Sequence, residues 1–314
     1  MSTIHVLAMP GLAPLYATPL AATYTVHAQN SDPAMLAAAA PRIRAIAASG
    51  ESKVSAELIN SLPALELISV MGVGYDGIDV AAAKARGVVV THTPDVLNDE
   101  VADTTLGLML CVARQLPAAD RHVRAGLWPK GPLPLTRKMS GARLGLVGMG
   151  RIAKAIAQRA QAFGMSIAYT ARSAKADLPY AFHDTPAKLA AASDFLVVIT
   201  PGGAGTRKLI DASVLKALGP TGILVNVARG SVVDEAALIQ ALQDGTIAGA
   251  ALDVFENEPN VPQALIDMPQ VVLAPHIGSA THQTRQAMVD LALGNLAAQF
   301  AGKPLLTPVP ECRA

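Results

Sequence analysis

The chain has 314 residues, enough for about two domains and for a core that needs no disulfide or metal staple. Its 25 Lys and Arg against 24 Asp and Glu leave a net charge of +1, so no broad field attracts nucleic acid or an anionic membrane surface. Charged residues make up 16% and apolar ones 51%, much of the excess being alanine as in AMLAAAA (34–40), which points to a soluble α/β protein acting on small molecules with part of its surface hidden in an oligomer.

The two cysteines, Cys111 and Cys312, exclude a disulfide framework and a cysteine metal site, and no clustered Cys/His/acid spacing supports a catalytic metal. Cys111, in the apolar stretch LGLMLCVA, is expected in the core. The opening MSTIHVLAMPG has no basic region followed by a long apolar one, so no secretory leader is expected. No run approaches the roughly 18 apolar residues of a membrane span, and the cytoplasm is the expected location.

In chain order, the first hundred residues alternate short apolar runs with helical ones. Strands are expected at Ile4 to Ala8, Tyr24 to His27, Ile43 to Ala47, Leu67 to Met71 and Val88 to Thr91. Helices are expected at Ser55 to Ser61 and Val80 to Arg86, the latter stopped by a left-handed Gly87. A long apolar-rich helix from Glu100 to Leu116 is expected to stop at Pro117, followed by an irregular arm (124–144) that holds the single tryptophan, Trp128. A second series then opens with strand Leu144 to Val147, helix Arg151 to Phe163 and strand Ser166 to Thr170. Further strands are expected at Phe195 to Ile199, Ile223 to Val227, Ala248 to Leu252 and Val271 to Leu273, and a last helix at about Gln283 to Phe300. This βαβ rhythm predicts parallel sheets covered by helices on both faces.

Between the first strand and helix of the second series lies Gly148-Met149-Gly150-Arg151-Ile152-Ala153, a G-x-G-x-x-A pattern. Gly148 permits the tight turn, Gly150 lets backbone approach a pyrophosphate, and Ala153 keeps helix and strand close, while the free N–H groups of the helix start hold phosphate. The flanking apolar strand and amphipathic helix supply the context that makes this a dinucleotide site. Where NAD sites place an acid to grip the ribose, this chain has Ala171, 21 residues after Gly150, followed by Arg172, Ser173 and Lys175. Arg172 suits a 2′-phosphate in bidentate fashion, with Ser173 and Lys175 beside it, so NADP(H) is expected in preference to NAD(H).

Three later segments, VNVARGSVVDEAAL (225–238), AGAALDVFENEP (248–259) and APHIGSAT (274–281), together with GVGYDGID (72–79), closely resemble the D-isomer-specific 2-hydroxyacid dehydrogenase family. Within it the chain is similar to the glyoxylate/hydroxypyruvate reductase branch. The resemblance implies two doubly wound parallel-sheet α/β domains, a Rossmann cofactor domain (99–286) inserted into a flavodoxin-like substrate domain (1–98 and 287–314). It also implies a homodimer, the arm with Trp128 resembling a dimer-contact region that in the family can border the neighbouring active site.

Reduction of a 2-oxoacid needs a cation for the carboxylate, a proton donor for the developing alkoxide, and hydride on the adjacent carbon. The resemblance assigns these roles to Arg229 for substrate binding, His276 as general acid, and Glu258 as the acidic partner that raises the histidine pKa. On composition alone Glu256 is equally plausible; the family pattern selects Glu258 because it precedes Pro259. The resemblance further implies that Val73 and Gly74 bind the substrate carboxylate through backbone N–H groups. Asp253 is implied to orient the nicotinamide carboxamide, and Thr104, Thr200, Pro201, Thr206, Val227 and Ala228 to line the cofactor. The other histidines, His92 among them, have no comparable setting. The expected activity is NADPH-preferring reduction of glyoxylate or hydroxypyruvate to D-2-hydroxy acids. Alternatives are larger 2-oxoacids of the aryl pyruvate or 2-ketogluconate type, or a non-enzymatic NADP(H)-sensing protein; a formate-type dehydrogenase would carry glutamine where Glu258 stands.

Overall fold

The computed structural model describes residues 4–313, so Met1–Thr3 of the opening segment lie outside the described residues. The chain divides into two compact units, one of residues 1–97 with 281–314 and one of residues 98–280.

The first unit runs β1 (His5–Ala8), α1 (Pro14–Thr23), β2 (Thr25–Ala28), α2 (Pro33–Ala39), β3 (Ile43–Ser49), α3 (Ala56–Asn60), β4 (Leu67–Met71), α4 (Val80–Ala85) and β5 (Val89–Thr91). Its five strands are all parallel in the order β2-β1-β3-β4-β5, a flavodoxin-like winding. Helix α4 ends as expected at Gly87, whose φ of 70° is left-handed. The last long helix of the chain (His282–Phe300) packs on β4, where the buried Ser69 hydroxyl donates to the Ala292 carbonyl at 3.0 Å. The chain end then returns to the sheet, with Thr91 bridged to Pro308 in antiparallel fashion.

The second unit runs α5 (Asn98–Arg114), α6 (Leu116–Arg124), β6 (Arg143–Val147), α7 (Arg151–Ala162), β7 (Ser166–Thr170), β8 (Ala181–Phe182), α8 (Pro186–Ala191), β9 (Phe195–Val198), α9 (Ala212–Leu218), β10 (Ile223–Asn226), α10 (Glu235–Gln243), β11 (Gly249–Leu252), α11 (Gln263–Ile266) and β12 (Val271–Leu273). Its seven parallel strands lie in the order β12-β11-β10-β9-β6-β7-β8. The central strands β9, β10 and β11 are buried along their whole length because helices cover both faces, which is why they read as unbroken apolar runs.

Two expectations need correction. The helix expected from Glu100 to Leu116 is two helices: α5 ends at Arg114, Gln115 is left-handed at φ 50°, and Pro117 sits in the first turn of α6. Proline lacks only an N–H that a first turn leaves unpaired anyway, so here it opens a helix. Cys111, expected in the core, is only partly buried. The stretch after α6 is irregular as expected, apart from one short turn at Trp128–Lys130.

All strands of the second unit run in one direction, so all their carboxyl ends lie on one edge of the sheet. The order reverses between β6 and β9, where two successive crossovers leave on opposite faces and open a crevice.

Candidate active site

At that crevice the glycine loop follows β6. Gly148 has φ 103°, and a Cβ there would meet the backbone of Ile199 and Thr200 at 2.9–3.0 Å, so only glycine lets the turn pass the end of β9. Its N–H donates to Thr170 at 2.9 Å. Gly150 is the N-cap of α7 without a side-chain cap, and a Cβ at Gly150 would meet nothing within 4 Å. The first-turn amides of α7 therefore face an open approach, which fits a dinucleotide pyrophosphate. Arg151 and Ile152 form the first turn, and Met149 is buried behind the loop.

After β7, where the ribose acid is missing, Arg172, Ser173 and Lys175 are exposed. The backbone beneath them is held from inside the sheet. Buried Tyr169, packed against Phe182, accepts the Lys175 N–H on its hydroxyl at 2.6 Å. A Lys154–Asp177 ion pair at 3.2 Å ties the far side of the loop to α7. Neither Tyr169 nor Lys154 was singled out from the sequence. A hydroxyl on an inward-facing strand residue is the signal, since a buried tyrosine oxygen usually finds a partner.

The strand ends of β10, β11 and β12 carry the remaining polar groups. At the end of β10, buried Asn226 accepts the Ala228 N–H at 3.1 Å and donates to the Arg229 carbonyl at 3.0 Å, shaping the turn from which Arg229 projects. The Arg229 guanidinium also donates to the Ala228 carbonyl at 2.8 Å. The next residue has to be glycine, because a Cβ on Gly230 would overlap the Phe255 carbonyl carbon at 1.8 Å. That contact seats the Arg229 turn directly on the loop carrying Glu258. Asn226 was also missed, although one polar residue ending the apolar run ILVN was a legible sign.

Glu258, rather than Glu256, meets the histidine: its Oε2 accepts from His276 Nδ1 at 2.8 Å, and its Oε1 accepts the Phe255 N–H at 2.9 Å. Glu256 instead pairs with Arg207 at 2.9 Å. Burial opposes the charge on Glu258, but the His276 hydrogen bond, the Phe255 amide and the charges of His276 and Arg229 outweigh it. The carboxyl is held below its ordinary value. An ionised carboxylate only accepts, so the proton lies on Nδ1 and the ring turns Nε2 away from Glu258.

His276 has a left-handed backbone, φ 54°, uncommon for a residue with a side chain. Asp253, after β11, holds it there. The Asp253 carbonyl accepts the His276 N–H at 2.9 Å, and its carboxylate oxygens accept from Ile277 at 2.7 Å and Gly278 at 2.8 Å. Burial pushes the Asp253 carboxyl up, against the opposing pull of those two amides and of His276.

The structure brings Arg229, Asp253, Glu258 and His276 together. Thr104 donates to the Gly278 carbonyl at 3.4 Å, next to the His276 turn, and Thr206 closes its own loop by donating to Pro201 at 2.7 Å. Val227 and Ala228 are buried under the Arg229 turn; Thr200 and Pro201 follow β9. Val73 and Gly74 belong to the first unit, in the loop after β4.

Residues 106–278 match the family described as D-isomer specific 2-hydroxyacid dehydrogenase, NAD binding domain. The chain is 49% identical over 267 residues to glyoxylate/hydroxypyruvate reductase A of Arabidopsis thaliana, with 85% of each chain covered. It is 48% identical over 274 residues to hydroxyphenylpyruvate reductase of Plectranthus scutellarioides, covering 87% of this chain and 88% of that one. Among solved structures it is similar to the NADPH-dependent glyoxylate/hydroxypyruvate reductase of Sinorhizobium meliloti in complex with NADP and malonate, at TM-score 0.94 and 48% identity over 100% of both chains.

Proposed function

The chain belongs to the D-isomer-specific 2-hydroxyacid dehydrogenase family, and from that premise we propose that it is an NADPH-preferring reductase of small 2-oxoacids such as glyoxylate and hydroxypyruvate. The observation that carries this reading is the 2.8 Å contact between His276 Nδ1 and Glu258, with the Arg229 turn seated on the same loop. NADPH, when bound, supplies hydride to the carbonyl carbon of the substrate. The loop at Gly148–Ile152 would hold its pyrophosphate, and Arg172 with Ser173 its 2′-phosphate. Thr104, Thr200, Pro201, Thr206, Val227, Ala228 and Asp253 would line the rest of its path.

Each residue of the chain has a physical task in this reading. Arg229 presents a planar fork to the carboxylate and the keto oxygen, drawing charge toward the oxygen. Val73 and Gly74 contact the carboxylate through N–H groups. His276 gives the Nε2 proton to the oxygen as the new C–H bond forms, and Glu258 holds the opposite nitrogen protonated throughout. Glu258 therefore stabilises the imidazolium before the transfer and keeps the ring from rotating after it. The hydroxyphenylpyruvate reductase relative makes an aryl 2-oxoacid the main rival substrate.

We also read the protein as a homodimer. Helix α6 buries none of its residues, and Leu116, Val123, Leu127, Trp128 and Leu135 are exposed along it and the following arm. The deciding experiment is kcat/KM for glyoxylate, hydroxypyruvate and hydroxyphenylpyruvate with NADPH and with NADH. Highest values for a small substrate with NADPH are expected; equal values for the two cofactors would remove the proposed preference.

A further inference from the structure

We propose that His92 is a positioning residue for substrate binding: its ring fixes the peptide plane that aims the Gly74 N–H at the substrate carboxylate. The inference rests on the reading that Val73 and Gly74 contact that carboxylate, and adds what orients them.

The geometry lies wholly within the first unit. Just past β5, the His92 Nδ1 lies 3.0 Å from the Val73 carbonyl oxygen. A carbonyl only accepts, so Nδ1 carries the proton and donates it. The Val73–Gly74 peptide is trans, and across a trans peptide the C=O and the following N–H point in opposite directions. Holding the Val73 carbonyl against His92 therefore turns the Gly74 N–H away from it. The neighbouring plane is held likewise, because Thr93 donates its N–H to the Gly72 carbonyl at 2.8 Å, turning the Val73 N–H away from Thr93. Two successive peptide planes are thus anchored by their carbonyls to residues 92 and 93, so the N–H edge of each plane faces away from its anchor. Amides whose planes are fixed in advance donate to an anion without reorganising.

His92 is itself held too firmly to be a loose loop histidine. It is buried, its N–H donates to the Thr307 carbonyl at 3.1 Å, and its carbonyl accepts from the Thr307 hydroxyl at 2.6 Å. Asn295 in turn accepts the N–H groups of Leu306 and Thr307 at 3.0 and 3.1 Å. The ring stands edge-on to Tyr75 at 5.3 Å, and the Tyr75 hydroxyl donates to Glu311 at 3.1 Å. The returning chain end therefore braces both backbone and ring of His92. Gly72 permits the close pass of this loop, since a Cβ there would meet Gly50 at 2.8 Å.

Replacement by amides of two lengths tests the role. The Asn amide nitrogen occupies the place of Nδ1, whereas Gln reaches instead to the place of Nε2. With the full-length enzyme, His92→Gln and His92→Leu are expected to raise KM for hydroxypyruvate by about tenfold, the worth of one hydrogen bond to a charged group. The dissociation constant for NADPH should stay at the wild-type value, and kcat should fall less than KM rises. His92→Asn is expected to recover most of the wild-type KM. Unchanged KM in the Gln and Leu variants, or an Asn variant as impaired as they are, would overturn the proposal while leaving the reductase reading intact. A wild-type enzyme silent toward every 2-oxoacid would overturn both.

Discussion

Glu258 accepts from His276 Nδ1 at 2.8 Å while its other oxygen takes the Phe255 N–H, so the carboxylate is braced on one side and braces the ring on the other. The pair joins a loop after β11 to the turn after β12 and assigns the two ring nitrogens different tasks. Glu258→Gln keeps the shape and removes the charge. The variant is expected to lose about 10²-fold in kcat for hydroxypyruvate reduction near neutral pH, within the range of general acid catalysis. Steady-state kinetics across pH checks this: the alkaline limb, on which the general acid loses its proton, is expected to move to lower pH once the carboxylate charge is gone.

The lowered carboxyl of Glu258 also sets a stability window. A carboxyl whose folded pKa lies below its unfolded value, about 4.3 for Glu, contributes stability that is complete above that value and lost as pH falls through the folded one. Wild type should therefore exceed Glu258→Gln by about 1–3 kcal/mol at pH 7, the worth of a hydrogen bond to a charged group. Urea melts at pH 7 and pH 3 should show that gap narrowing in acid. A constant gap would mean that the charge is not its source.

Gly230 is the contact that sets Arg229 on the Glu258 loop. Gly230→Ala forces a Cβ into the Phe255 carbonyl, so one loop has to move. A loss of about 1–3 kcal/mol is expected from such overpacking, together with a raised KM for 2-oxoacid as Arg229 shifts. Thermal melts and kinetics report the two effects separately.

Cofactor choice is expected to reside in the exposed loop after β7. Arg172→Ala should weaken NADPH by about tenfold or more and leave NADH nearly unchanged, since it removes a charge-assisted contact to the 2′-phosphate alone. Fluorescence titration with each cofactor measures this, and equal weakening of both would move the specificity elsewhere.

Tyr169→Phe removes the acceptor for the Lys175 N–H from beneath that loop. Because the amide is near solvent and can rehydrate, the cost should be about 1 kcal/mol or less. The local consequence is faster hydrogen exchange in residues 172–177, read by mass spectrometry.

Trp128 is 68% exposed at the start of the arm, beside the uncovered α6. Trp128→Asp together with Leu135→Lys is expected to convert a dimer into monomer, measured by light scattering on the eluting protein. An unchanged mass would place the interface elsewhere.

Much of this architecture is local information. The central strands of the second unit are apolar runs because both sheet faces are covered there, and the G-x-G-x-x-A loop announces itself because a tight turn and a close backbone approach both require missing side chains. The replacement of an acid by Ala171-Arg172 is likewise readable, since one charge reverses which ribose substituent is favoured. The boundary at Pro117 was misread because proline ends one helix and opens the next with equal ease; the left-handed Gln115 decided which. His92 looked bland because its partner is a backbone carbonyl 19 residues earlier, which has no signature in sequence.

Residue types and periodicity alone thus determined the sheet class and the dinucleotide loop, and the resemblance of the later segments to a family pointed to Arg229, Glu258 and His276. Only the tertiary structure decided how the Phe255 N–H braces Glu258, how Asp253 holds His276 in a left-handed turn, and why Gly230 has to be small. The reason is physical: helix and strand formation depend on near neighbours, whereas a site depends on which strand ends become adjacent. Here that adjacency follows from seven parallel strands whose order no local pattern encodes.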